Sequence, residues 1–110
     1  MLHPMRPHLG QIVLVTQGKE TGNYAVIVGI PGPKTVLLAD GAKRKSDAPK
    51  RKNLAHIQLL PHRDEVLTAE LEQKGQVQNA LLRGCLNRFK RSFVQSNDEA
   101  KRGSDLSGER

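Results

Sequence analysis

The chain has 110 residues, of which 36% are hydrophobic and 3% aromatic, and a formal charge of +7 with an isoelectric point near 10.0. That length suits one compact unit plus an appendage, and with no Trp, one Tyr and two Phe the core must be a thin one of Val, Ile and Leu. Its single cysteine, Cys85, excludes an internal disulfide and a cysteine-built zinc site. The excess of cations favours a polyanionic partner, nucleic acid ahead of an anionic membrane surface, because each Lys or Arg that neutralises a phosphate releases condensed counterions.

Gln11 to Thr16 is a β-branched apolar run too short for a helix, closed by Gly18 and Gly22, and predicts the first strand. Tyr24 to Ile30 predicts the second, Pro31-Gly32-Pro33-Lys34 a turn, and Thr35 to Ala39 the third. Asp40-Gly41 is a further turn signal. Ala42 to Lys52 has no apolar period and reads as a charged loop, and Leu54 to Leu60 predicts a fourth strand that stops at Pro61. Short strands punctuated by Gly and Pro predict a small antiparallel barrel over 9–61, since closure removes exposed edges. Val13 and Val15 would face one side and Ile12 and Leu14 the other, so an outer layer should cover part of it.

The segment over 62–95 supplies that layer. Asp64 is a candidate N-cap for a short helix carrying Val66, Leu67, Leu71 and Lys74, with Gly75 ending it. A second helix is expected from Gln76 to Gln95. Val77, Leu81, Leu82, Cys85, Leu86, Phe89 and Phe93 form its apolar stripe, with Arg83, Arg88, Lys90 and Arg91 opposite. Gly84 weakens that helix by roughly 1 kcal/mol. Residues 1–8 are expected to be flexible and the polar tail over 96–110 disordered. The N-terminus lacks the apolar run of a signal peptide and no apolar stretch reaches 18 residues, so the expectation is a cytoplasmic protein without a membrane partner.

In the stretch from Gly10 to Val26, glycines 10, 18 and 22 stand where tight turns need positive φ or close backbone approach. An apolar strand, a glycine-centred turn and a returning strand in this arrangement resemble the KOW motif of ribosomal and transcription-elongation proteins. The segments Val36-Leu37-Leu38-Ala39-Asp40-Gly41 and Pro49-Lys50-Arg51-Lys52-Asn53-Leu54-Ala55-His56-Ile57 extend the likeness. Over roughly Gly10 to Leu60 the chain is similar to the large-subunit ribosomal protein L-fourteen-e family of archaea and eukaryotes and its short bacterial relatives. The resemblance implies an SH3-like barrel that contacts RNA through its loops, and it brings no catalytic residues. The expected fold is therefore mainly β with C-terminal α: a small KOW-type barrel, two amphipathic helices and a tail.

The basic loop supports the same reading from its chemistry alone. Lys43, Arg44, Lys45, Lys50, Arg51 and Lys52 face one acid, Asp47, within ten residues, and such cations position RNA by its phosphates without reading sequence. Lys19, in the glycine turn, is a further phosphate candidate. Tyr24 either stacks on a base or packs the barrel, Asn53 either bonds a base or ribose or closes a turn, and His56 either contacts RNA or bonds to backbone. The charge run is read as phosphate-binding ahead of a merely solvated loop, and the cationic helix face as solvent-side ahead of a second RNA contact.

His3, His8, His56 and His62 lack the spacing of a zinc site, so no metal is expected. No Gly-x-Ser-x-Gly or Gly-Lys-Thr/Ser pattern is present, and Glu20, Asp40, Asp64 and Glu65 show no supporting pairing; no enzyme, cofactor or small-molecule substrate is expected. The resulting expectation is an RNA-binding, ribosome-associated protein. A protein-docking module of the transcription or translation machinery is the rival, with the Gln76 to Gln95 helix as partner surface. Exposure of Leu82, Leu86, Phe89 and Phe93 would favour the rival; packing on the sheet would make the stripe structural.

Overall fold

The computed structural model describes residues 6–94, with side chains through Ser92. The expectations for residues 1–5, for the tail beyond Gln95 and for the packing of Phe93 lie outside the described residues. Five strands, β1 (Gln11–Val15), β2 (Tyr24–Gly32), β3 (Thr35–Ala39), β4 (Lys50–Asn53) and β5 (Ile57–Arg63), form one sheet in the order β4-β3-β2-β1-β5. Every pairing is antiparallel. Two helices follow, α1 (Glu65–Lys74) and α2 (Asn79–Phe89), so the architecture is mainly β with C-terminal α.

Both faces of the sheet are apolar, as the strand composition requires. On one face Val13, Val15, Ala25, Ile27, Val36, Leu38 and Ile57 form a cluster to which neither α1 nor α2 contributes. Val13, Ile27 and Val36 are nonetheless fully buried, so the sheet must coil over this face. Register shifts in β1 near Gln11 and in β2 near Gly29 provide the bends. The strand order has β4 and β5 at its two ends, with no ladder joining them. On the other face Ile12, Val26, Ala39 and Leu60 meet Leu67 and Leu71 of α1, Val77, and Leu82, Cys85, Leu86 and Phe89 of α2. Each such aliphatic or aromatic side chain contributes about 1.5–3 kcal/mol by leaving water. Leu14 is only half-buried and stands outside that cluster. Leu82, Leu86 and Phe89 are thus committed to the sheet, while Leu81 is partly exposed.

The helix-end signals act as their chemistry dictates. Asp64 Oδ1 accepts from the Leu67 N–H at 3.0 Å, and Gly75, at φ 75°, closes α1 with its N–H on the Leu71 carbonyl. Burial raises the Asp64 carboxyl, but the Leu67 N–H, Arg88 and the Cys85 thiol outweigh it and hold the group below its ordinary 3.8. Arg88, expected on a free cationic face, is paired with Asp64 at 3.1 Å. Cys85 is a buried free thiol, pushed up to about 11 by burial and by the Asp64 carboxylate.

Four boundaries differ from expectation. Lys50, Arg51 and Lys52 are not loop residues: with Asn53 they form β4, paired with Thr35–Leu38 of β3. The strand expected from Leu54 begins instead as a 3-10 turn over Leu54–His56, and β5 runs through Pro61 to Arg63. Proline is tolerated there because β5 is an edge strand. β2 continues through Pro31 to Gly32. The long second helix starts only at Asn79, is strictly α-helical to Phe89, and finishes in a π turn over Lys90–Val94. Among the described residues no helix is long and apolar enough to cross a membrane.

Candidate nucleic-acid interface

The turn between β1 and β2 is built by its glycines. The Gly22 N–H donates to the Val15 carbonyl at 2.8 Å, and the Thr21 N–H and hydroxyl both donate to the Gly18 carbonyl. Glycines 10, 18 and 22 all have positive φ, as expected of glycines in tight turns. Lys50 and Lys52 alternate with Arg51 along β4 and so share one side of the strand. That side faces the glycine turn: a methyl group on Gly18 would stand 2.7 Å from the Lys52 ammonium.

Lys19 and Glu20 of the turn, Arg44 of the β3–β4 connection, and Lys50 and Lys52 of β4 therefore line one depression of about 180 Å³. Glu20 pairs with Arg44, Nε to Oε2 at 3.2 Å, and is the one acid there. The surplus of three positive charges sits at a sheet edge, where lysines also discourage another strand from adding.

The connection itself is folded. Asp40 Oδ1 accepts from the N–H groups of Ala42 and Arg44 at 2.8 and 2.9 Å, and the Asp40 and Gly41 N–H groups both donate to the Arg44 carbonyl. Farther along, the Ser46 N–H donates to Asn79 Oδ1 at 2.7 Å, tying the connection to the start of α2. The part of the charge run that remains a loop is thus pinned at Arg44 and at Ser46.

The remaining candidates divide. Lys43 and Tyr24 line a second depression, of about 260 Å³, together with residues of α2. Tyr24 is half-buried and meets Phe89 edge-to-face at 5.1 Å, so it does pack the core. Lys45 and Arg51 are exposed and line neither depression. Asn53 closes a turn, its Oδ1 accepting from the Ala55 N–H at 2.8 Å, and the His56 carbonyl accepts from the Thr16 N–H. Both are placed by backbone geometry at the far end of β4, outside the two depressions.

Sequence reasoning did not find Glu20, Asn23 or Asn87 as site residues. Arg83, Asn87 and Lys90 are spaced i, i+4 and i+7, one face of a helix, but only the packing of α2 against the β3–β4 connection reveals what that face meets. Among the described residues, no group of three or more His, Cys, Asp or Glu lies close enough to hold a metal ion.

No protein-family model matches the chain. Over 71 residues it is 34% identical to a protein of Bacillus subtilis (strain 168) named "Putative ribosome-binding protein YbzG", a match covering 64% of this chain and 96% of that protein. Identity of that extent over nearly the whole relative settles descent: the chain belongs to the family of Bacillus subtilis YbzG.

Proposed function

We propose that this protein is a non-catalytic, ribosome-associated RNA-binding protein, a KOW-type SH3-like barrel whose basic edge grips RNA phosphates. The observation that carries the reading is convergence: cations from three separate segments, Lys19, Arg44 and the pair Lys50 and Lys52, meet at one depression. Solvation alone would spread like charges apart, whereas a phosphate chain needs them gathered. The name of the Bacillus subtilis relative supports the ribosome as the source of the RNA, and a ribosomal partner supports a cytoplasmic location. The coiled five-stranded sheet with a glycine-built first turn supports the barrel assignment.

Fluorescence anisotropy against structured ribosomal RNA, with duplex DNA as control, tests it. The expected result is a preference for RNA and a steep loss of affinity with salt. Changing Lys50 and Lys52 together to Ala should flatten the slope of log K against log salt by about 1–2, roughly 0.7–0.9 for each phosphate contact removed. Absent or salt-insensitive binding refutes the proposal.

A further inference from the structure

The depression that holds Lys43 and Tyr24 differs in character from the basic edge. Its floor is apolar, formed by Leu86 and the half-buried Tyr24 ring that Phe89 holds in place. Two exposed amides, Asn23 on the β1–β2 turn and Asn87 on α2, flank the floor. Each carboxamide offers both donors and an acceptor, the pattern that complements the edge of a nucleobase. Two exposed cations, Lys43 and Lys90, also line it.

Its remaining walls are already partnered. Arg83 Nη1 donates to the Gly41 carbonyl at 2.6 Å, and one Asp40 oxygen accepts two backbone N–H groups. Asp40 and Arg83 offset one another in charge on the wall, which leaves Lys43 and Lys90 as the cations for a phosphate. At about 260 Å³ the space falls just below the roughly 300–1,000 Å³ of sites that hold drug-sized ligands, and it suits a single base.

We infer that this depression receives one unpaired RNA base, stacked or packed against Tyr24 and Leu86 and bonded at its edge by Asn23 and Asn87, with the adjoining phosphate on Lys43 and Lys90. The inference rests on the RNA-binding reading and deepens it, because α2 becomes half of the RNA site. Lys43 and Arg44 are consecutive, and they line the two depressions one each. A strand crossing the connection would place backbone on the basic edge and a splayed base in the pocket. Duplex RNA keeps its bases stacked and cannot do so.

The test needs no RNA target. The full chain is titrated with AMP, GMP, CMP and UMP, and separately with ribose 5-phosphate and inorganic phosphate, while the side-chain amides of Asn23 and Asn87 are followed by nuclear magnetic resonance. Nucleoside monophosphates should shift both amides saturably, and the two base-free probes should not. Asn87→Ala, at an exposed site, should weaken that binding about ten-fold, the equivalent of one lost hydrogen bond; Lys90→Ala should weaken it as well. The variant with Lys50 and Lys52 changed to Ala should keep the shifts. Equal shifts from inorganic phosphate, or none at the two amides, overturn the inference. If RNA binds at the basic edge while monophosphates leave the amides unmoved, the pocket reading falls alone. If monophosphates bind and RNA does not, the RNA-binding reading falls and the inference of an RNA base falls with it.

Discussion

Gly41→Ala probes how the basic connection is held against α2. Gly41 is buried, has φ 81°, and would bring a Cβ against the Asn79 carbonyl oxygen, with Arg83 Cγ and Leu82 Cβ each at 3.0 Å. The left-handed backbone costs an L-residue roughly 1–2 kcal/mol. Overpacking adds about 1–3 kcal/mol, because one obstacle is main chain at the head of a helix and cannot rotate away. The sum, about 2–5 kcal/mol, is a large share of the roughly 5–15 kcal/mol that holds a domain folded. Gly22→Ala is the matched control: its φ is 93° but nothing lies within 4 Å of the added carbon, so only the backbone cost applies. Urea unfolding followed by circular dichroism should lower the midpoint in both, with Gly41→Ala worse by about 1–3 kcal/mol at unchanged slope. Equal losses would refute the packing of the connection on α2, and with it the pocket wall that Arg83 and Gly41 build.

Two further outcomes follow from the charged groups. Asp64→Ala removes the α1 cap and should cost about 1 kcal/mol by thermal unfolding at neutral pH. Because the folded pKa lies below the ordinary 3.8, the contribution is present above that value and lost as pH falls through the lower folded one, so the gap between wild type and variant should narrow in acid. Glu20→Gln removes the one acid from the basic depression and frees Arg44. RNA affinity measured by anisotropy should rise up to about five-fold, the equivalent of roughly 1 kcal/mol, with the gain fading as salt increases.

What the sequence disclosed followed from how local each signal is. The N-cap at Asp64, the C-cap at Gly75 and the turn glycines 10, 18 and 22 are set by neighbours within a few residues, and each stands where the chain itself indicates. The alternating aliphatics of β1 likewise announced two buried faces. Lys50–Asn53 could not be read as a strand, because an edge strand of polar side chains has no hydrophobic period and exists only through its ladder with Thr35–Leu38. Gln76–Gln78 misled in the opposite way: Val77 is buried on the apolar stripe although it precedes the helix. The basic edge was half legible, since the lysines are contiguous in sequence but Lys19 joins them only by folding. The second depression was not legible, because Asn23, Lys43 and Asn87 come from three distant segments.

The position of β1 between β2 and the edge strand β5 has a bearing on how the chain folds. β1 pairs with β2 across a short turn, but its other partner, β5, begins 42 residues after β1 ends, as Val15 and Ile57 mark. Strands β1 to β4 can therefore pair in succession as hairpins, whereas the last ladder waits for a long loop to close. A nascent chain that stops short of Ile57 presents one unpaired edge of the most apolar strand in the protein. The lysines of β4 guard the opposite edge of the sheet, and only the arrival of β5 guards this one.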